Sequence, residues 1–156
     1  METQERNVKE MAMMSIFEVF EKMYYIFLEP RDSACVEEGR WAVEIRFSGA
    51  LRGEMHAYYA EPLAETMIGN ALNIDKEEIT VQIREDCLKE CINMICGSFL
   101  QRYEPDKSLQ LSIPLFMGKA SVPRVGEIPD AIQLAFEADG VPLDAIIKIA
   151  KEKDVE

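Results

Sequence analysis

The stretch from Asp75 to Tyr103 contains no proline and one glycine, and its apolar residues Leu88, Ile92, Ile95 and Phe99 recur at spacings of three or four. That is the period of an amphipathic helix. At about 100° per residue, Val81, Leu88, Ile92, Ile95 and Phe99 gather on one face, which must bury itself against the rest of the chain. On the opposite face Asp86, Glu90, Asn93 and Gly97 form a single line at i, i+4, i+7 and i+11. A solvated helix face more naturally carries Lys, Glu and Gln. Asn and Gly are poor helix formers, so their place in mid-helix points to a use beyond helicity. Asp75 reads as the N-cap, with Glu77 and Glu78 placed favourably for the helix dipole.

The other segments can be read as the surface this helix needs. Residues from about Glu5 to Leu28 have the pattern of a first long helix ended by Pro30, with Ala12, Ile16, Val19, Phe20, Met23 and Phe27 on its inner face. Its other face carries Met11, Met14, Glu18, Glu21 and Tyr25, read as a further packing contact or a partner surface. The loop PRDSACVEEG follows. Trp41 to Phe47 alternates like a strand, and Arg52 to Ala60 answers it as the second arm of a hairpin. Trp41, Tyr58 and Tyr59 read as packing residues. His56 reads as a half-exposed strand residue with no catalytic partner evident. Glu61-Pro62 opens a short helix to about Leu72. Beyond the long helix, strands are expected at Leu109 to Ser121 with a break near Gly118, at Ile132 to Ala138, and from Val141 to about Ala150. Asp139-Gly140 is a hairpin signal, and the tail KEKDVE is expected to fray. The order lacks strict βαβ alternation. It predicts one α+β domain over residues 1–156, with a largely antiparallel sheet covered by two long helices.

Composition narrows the partners. Seventeen Lys and Arg against 29 Asp and Glu give a net charge of −12, which argues against a phosphate-backbone partner and hence against nucleic acid. The N-terminus METQERNVKE lacks the apolar core of a signal peptide, and no apolar run approaches membrane-spanning length. A cytoplasmic protein without membrane contact is expected. Cys35, Cys87, Cys91 and Cys96 lack paired CxxC spacing. With one histidine in the chain they leave no complete zinc set, so they read as free thiols buried as small hydrophobes, and no metal site is expected.

Carboxylates on adjacent turns of one helix do not converge across a cleft as paired catalytic acids do, and a straight helix offers too few oxygens for a Ca²⁺ shell. Phosphate loops, a nucleophile elbow and a zincin helix are absent. The stripe can instead enter a partner's site, laying Glu90 against a cation and placing the Asn93 amide where it holds a water in line for attack.

Asp86-Cys-Leu-Lys-Glu90-Cys-Ile-Asn93-Met-Ile-Cys-Gly97, followed by Pro114 in Ser112-Ile-Pro-Leu-Phe-Met-Gly118, resembles the CheC, CheX and FliY phosphatases of bacterial chemotaxis. In that family a helix carries Asp or Ser, then Glu, then Asn, with a Pro some two dozen positions later; the spacing to Pro114 is slightly shorter here. The resemblance covers nearly the whole chain and implies a CheX-like fold. It implies hydrolysis of the aspartyl phosphate on a CheY-like receiver domain, Glu90 pairing with the partner's lysine and Asn93 orienting water. Asp86, Gly97 and Pro114 would contact the partner. No cofactor of the chain's own is implied; Mg²⁺ would belong to the receiver. A homodimer through sheet edges is also implied, with the strand from Val141 offering an edge. Some members carry a second Glu-x-x-Asn on the first helix, where this chain has Glu18-Val-Phe-Glu21. A carboxylate beside a phosphoryl group repels it, so helix one reads as inactive and closer to CheX. The alternative is a non-catalytic module of this fold that binds a receiver or a flagellar switch component.

Overall fold

The structure is a computed structural model describing residues 2–32, 39–49, 51–105, 108–124 and 126–150. Cys35 and most of its loop, Ala50 of the first hairpin turn, Asp106 and the tail 151–156 lie outside the described residues. In chain order the elements are α1 (Glu2–Tyr24), β1 (Glu29–Pro30), β2 (Arg40–Ser48), β3 (Gly53–Tyr59), α2 (Glu61–Leu72), a 3₁₀ turn (Lys76–Glu78), α3 (Val81–Tyr103), β4 (Gln110–Leu111), β5 (Leu115–Ala120), β6 (Ala131–Ala138) and β7 (Val141–Ile149).

The strands form one sheet in the order β1-β6-β7-β3-β2-β4, with β5 also pairing β2, and every described pairing is antiparallel. Alternation sorts its two faces. Val43, Ile45, Phe47, Met55, Ala57, Tyr59, Leu134, Phe136, Leu143 and Ile147 point to the side on which the helices lie and join their apolar faces in one core. The expected α+β architecture, an antiparallel sheet under two long helices, is therefore what the chain forms. The other face is mostly polar. Part of it is closed by Val122, which packs with Ala42, Tyr58 and Ile146. Beside them Arg40 and Asp144 are buried as an ion pair at 2.9 Å, and the same guanidinium nitrogen donates to the Tyr58 carbonyl.

The long helix is shorter than its sequence pattern suggests. Asp75 does cap, but it caps the 3₁₀ turn, in a box with Glu78. The α-helix starts five residues later, where the Thr80 side chain accepts a hydrogen bond from the Ile83 N–H at 3.1 Å. Val81 is consequently a first-turn residue, 73% exposed, and not part of the buried face. Leu88, Ile92, Ile95 and Phe99 are buried as expected. Thr80→Ala should lower stability by about 1 kcal/mol, read as a fall in the urea midpoint with an unchanged slope.

The first helix also stops early, at Tyr24 and not near Leu28. Tyr25 takes the left-handed conformation at φ 56°, uncommon for an aromatic residue. The Ile26 N–H turns back to the Phe20 carbonyl, and Asn70 of α2 donates to the Tyr24 carbonyl at 2.8 Å. This turn inserts Ile26 and Leu28 into the core and directs Phe27 to solvent, 74% exposed, while Met23, in the last turn of α1, is exposed as well and not on the buried face. Two strand expectations change as well. The break in the stretch from Leu109 falls at residues 112–114, where Pro114 has no N–H to offer a ladder. Gly118, at φ 80°, instead lies at a register shift within the β2–β5 pairing. The strand from Val141 is no edge, because β3 and β6 flank it.

Cys91 and Cys96 are buried and Cys87 half-buried, all free. Burial pushes the Cys91 and Cys96 thiols up to about 12. Almost no thiolate forms at them near pH 8, and thiolate is the reactive species. Iodoacetamide at that pH should leave both unmodified in the native protein and alkylate both in urea, a contrast that peptide mass spectrometry resolves.

Candidate functional site

α3 is held by its apolar face, which leaves its polar stripe open. Phe99 meets Phe47 of β2 edge to face, ring centroids 6.0 Å apart, and Ser98 bonds to the buried Ser15 of α1 at 3.2 Å. Near the start of α3, Arg84 lies over the ring of Trp41, whose indole N–H donates to Glu61, and Arg84 also pairs with Glu61 at 3.6 Å. The helix is thereby fixed in rotation.

Asp86, Glu90 and Asn93 face an open hollow of about 470 Å³ whose opposite wall is Leu111, Ser112, Ile113 and Pro114, with Lys89 completing the lining. The wall is set by backbone pairing. Ser112 N–H donates to the Arg46 carbonyl and Arg46 N–H to the Ser112 hydroxyl, both at 2.9 Å, so residues 112–114 hang from β2 beside the helix. Asp86 accepts from Gln82 at 2.8 Å and Lys89 pairs with Glu85 at 3.3 Å. Glu90 and Asn93 have no side-chain hydrogen bond or ion pair to another described residue. A carboxylate and a carboxamide one turn apart, unengaged and facing solvent, can each accept or donate to a molecule that enters.

Of the sequence candidates, Asp86, Glu90, Asn93 and Pro114 meet in this groove. Gly97 continues the helix line beyond it. A Cβ there would make ordinary contact with Leu111 at 3.9 Å, so this chain's own packing does not demand glycine. Lys89, Leu111, Ser112 and Ile113 were not singled out by sequence reasoning. Their adjacency to Glu90 and Pro114 in the chain was the available signal. A larger open hollow of about 740 Å³ shares Leu111 and Ser112 but contains none of the helix stripe.

The stripe on α1 has a different environment. Glu18 pairs with Lys22 at 3.2 Å and with Arg102 of α3 at 2.9 Å. The hydrogen bonds from Lys22 and Arg102 hold its carboxyl below the usual range. Glu18 thus serves the α1–α3 contact, while Glu21 is exposed.

The sequence profile described as chemotaxis phosphatase CheX matches residues 42–126, more than half the chain and inclusive of both walls of the groove. The chain belongs to the CheX family. Solved structures agree on the fold. The chemotaxis protein CheX from Vibrio vulnificus superposes with a TM-score of 0.76 at 18% identity, over 92% of this chain and 96% of that one. A CheC-like superfamily protein from Shewanella sp. PV-4 gives a TM-score of 0.76 at 15% identity, covering 93% and 98%. A CheX–CheY–BeF3–Mg²⁺ complex from Borrelia burgdorferi gives 0.68 at 17% identity, covering 91% and 97%. No curated protein matches the chain in sequence. Among the described residues no helix is long and apolar enough to cross a membrane.

Proposed function

We propose that this chain hydrolyses the aspartyl phosphate of a CheY-like response-regulator receiver domain, with Glu90 pairing the partner's lysine and Asn93 orienting the attacking water. The observation that carries this reading is the meeting of Glu90, Asn93 and Pro114, from separate segments, at one open groove in a CheX-family chain. The related complex from Borrelia burgdorferi joins a CheX to a CheY, which supports a receiver as the class of partner here. Leu111 and Ile113 give the groove an apolar wall, and Ile113 is 89% exposed, a side chain suited to burial under a docked protein. Asp86 and Pro114 contact the partner from the two walls, and Gly97 leaves its backbone room beside the helix.

In this reading the chain brings no cofactor. Mg²⁺ and the phosphoryl group arrive on the receiver, and the chain contributes a carboxylate, an oriented water and an apolar rim. It acts as one domain in the cytoplasm. Homodimers form through an edge of the sheet, for which β5 offers the exposed Leu115 and Met117.

The test is a dephosphorylation assay. Receivers from the same organism are phosphorylated with a small phosphodonor, and loss of acyl phosphate is followed with and without the protein. At least one receiver should lose its phosphoryl group faster in its presence. If every receiver decays at its spontaneous rate, the phosphatase reading fails.

A further inference from the structure

On the face of the sheet away from the helices, β2 and β3 bring three metal-ligating side chains together. Glu44 and His56 are directly opposed in the β2–β3 register, and Glu54 lies two residues before His56 on the same face. One ligand atom from each of Glu44, Glu54 and His56 lies within 4.8 Å of the other two. Glu54 Oε1 and His56 Nε2 are 3.0 Å apart. The side chains are only 12%, 25% and 21% exposed. The register places Leu115 beside Glu44 and Ile146 beside His56, so apolar residues bracket the pair. None of the three lines the Glu90–Asn93 groove.

The geometry points to Glu44, Glu54 and His56 as a binding site for a divalent transition-metal cation of zinc-like preference, with two carboxylate oxygens and imidazole Nε2 as ligands and water completing the shell. Zinc–oxygen and zinc–nitrogen bonds run at about 2.0–2.2 Å, so ligand atoms around one ion stand roughly 3.5 Å apart. The His56–Glu54 separation of 3.0 Å is already that close, and the Glu44 ligand atom lies within 4.8 Å of both. The mixed nitrogen and oxygen set suits zinc and its neighbours better than Ca²⁺ or Mg²⁺, which favour all-oxygen shells. Metal at Nε2 would take the place of the hydrogen bond between Nε2 and Glu54, and it requires the neutral tautomer whose single proton sits on Nδ1, so a proton on Nε2 would pass to solvent as Nδ1 takes one up.

Two cations compete for the same carboxylates. Arg46 reaches Glu44 at 3.5 Å and Glu54 at 3.9 Å, and Lys148 reaches Glu54 at 3.6 Å. Arg46 is 74% exposed and Lys148 42%. Long, solvated pairs of this kind contribute little and yield readily. They make a distinctive prediction, because removing the competitor should tighten metal binding.

His56 is the chain's one histidine, which makes the test clean. The full chain is titrated with ZnCl₂ by calorimetry, and the imidazole nitrogens of His56 are followed by NMR. One equivalent should bind with a dissociation constant on the order of micromolar, and the His56 Nε2 resonance should shift in step. His56→Ala and Glu44→Gln should each weaken binding at least about tenfold with the circular dichroism unchanged, and Arg46→Ala should strengthen it. Absence of saturable binding overturns the proposal. So does binding that survives both substitutions, which would assign the metal to the cysteines, or a His56 resonance that stays fixed throughout the titration.

Discussion

Asn93→Ala should abolish the proposed acceleration of receiver dephosphorylation while leaving receiver binding intact. The expectation follows from what the side chain does in the proposed site. A carboxamide cannot take a proton as a base, but it can donate to and accept from one water and hold it in line with the phosphorus. An aspartyl phosphate already hydrolyses unaided, so a hundredfold acceleration requires only about 2.7 kcal/mol. Removing the one group that positions water should return the rate to that of the receiver alone. The substitution is safe for the fold: Asn93 is half-buried and bonds to no described neighbour, and changes at such positions usually stay within about 0.5 kcal/mol. Glu90→Ala should behave differently. Its proposed contact is with a cation on the partner, so its loss raises the receiver concentration needed for half-maximal rate. Single-turnover rates at saturating receiver, together with a binding isotherm, separate the two effects. Full activity in the Asn93 variant would remove this groove from consideration as the site.

The second large effect concerns what holds the groove in place. Phe99→Ala should lower stability by about 3–5 kcal/mol, seen as a fall in the urea midpoint. Phe99 is fully buried and sits between the rings of Phe47 and Tyr103, at 6.0 and 6.3 Å between centroids. Truncation removes both contacts and opens a cavity where α3 meets β2. Domains of this kind are stable by only about 5–15 kcal/mol, so the loss is a large share of the whole. Phe99→Leu should restore most of it, because the smaller cavity recovers much of the buried area. Ile113→Ser supplies the contrast. That side chain faces solvent, so the free chain should lose almost nothing, while receiver binding should weaken if the apolar rim docks a partner.

Local chemistry makes part of this structure legible in the sequence. The apolar period of Leu88, Ile92, Ile95 and Phe99 defines the buried face of α3 because burial and the helical repeat agree there. Asp139 and Gly140 form the β6–β7 turn with φ of 50° and 81°, as an Asp-Gly pair allows. Pro62 marks the start of α2, whose bounds match the expectation. The features that escaped depend on partners distant in sequence. α1 ends where Asn70, 46 positions away, caps Tyr24, and nothing near Tyr24 announces it. Thr80 looked like a helix-interior residue because Asp75 offered an earlier and equally good cap. Within the groove, the helix stripe was legible from its own spacing. The facing wall of Leu111, Ser112 and Ile113 depends on the pairing of Ser112 with Arg46. His56 does have a partner close in sequence, Glu54 two residues before it at 3.0 Å, which strand alternation places on the same face; only Glu44 joins them through strand register.

The pairing of Glu18 with Arg102 also bears on valency. A first helix whose carboxylate is clamped to α3 at 2.9 Å is not free to present a second docking stripe, even though its sequence places acidic residues where one could lie. Under the proposed function each copy of the chain engages one receiver at a time, and the ratio of receivers to chains in any assembly is set by how many copies of α3 it displays.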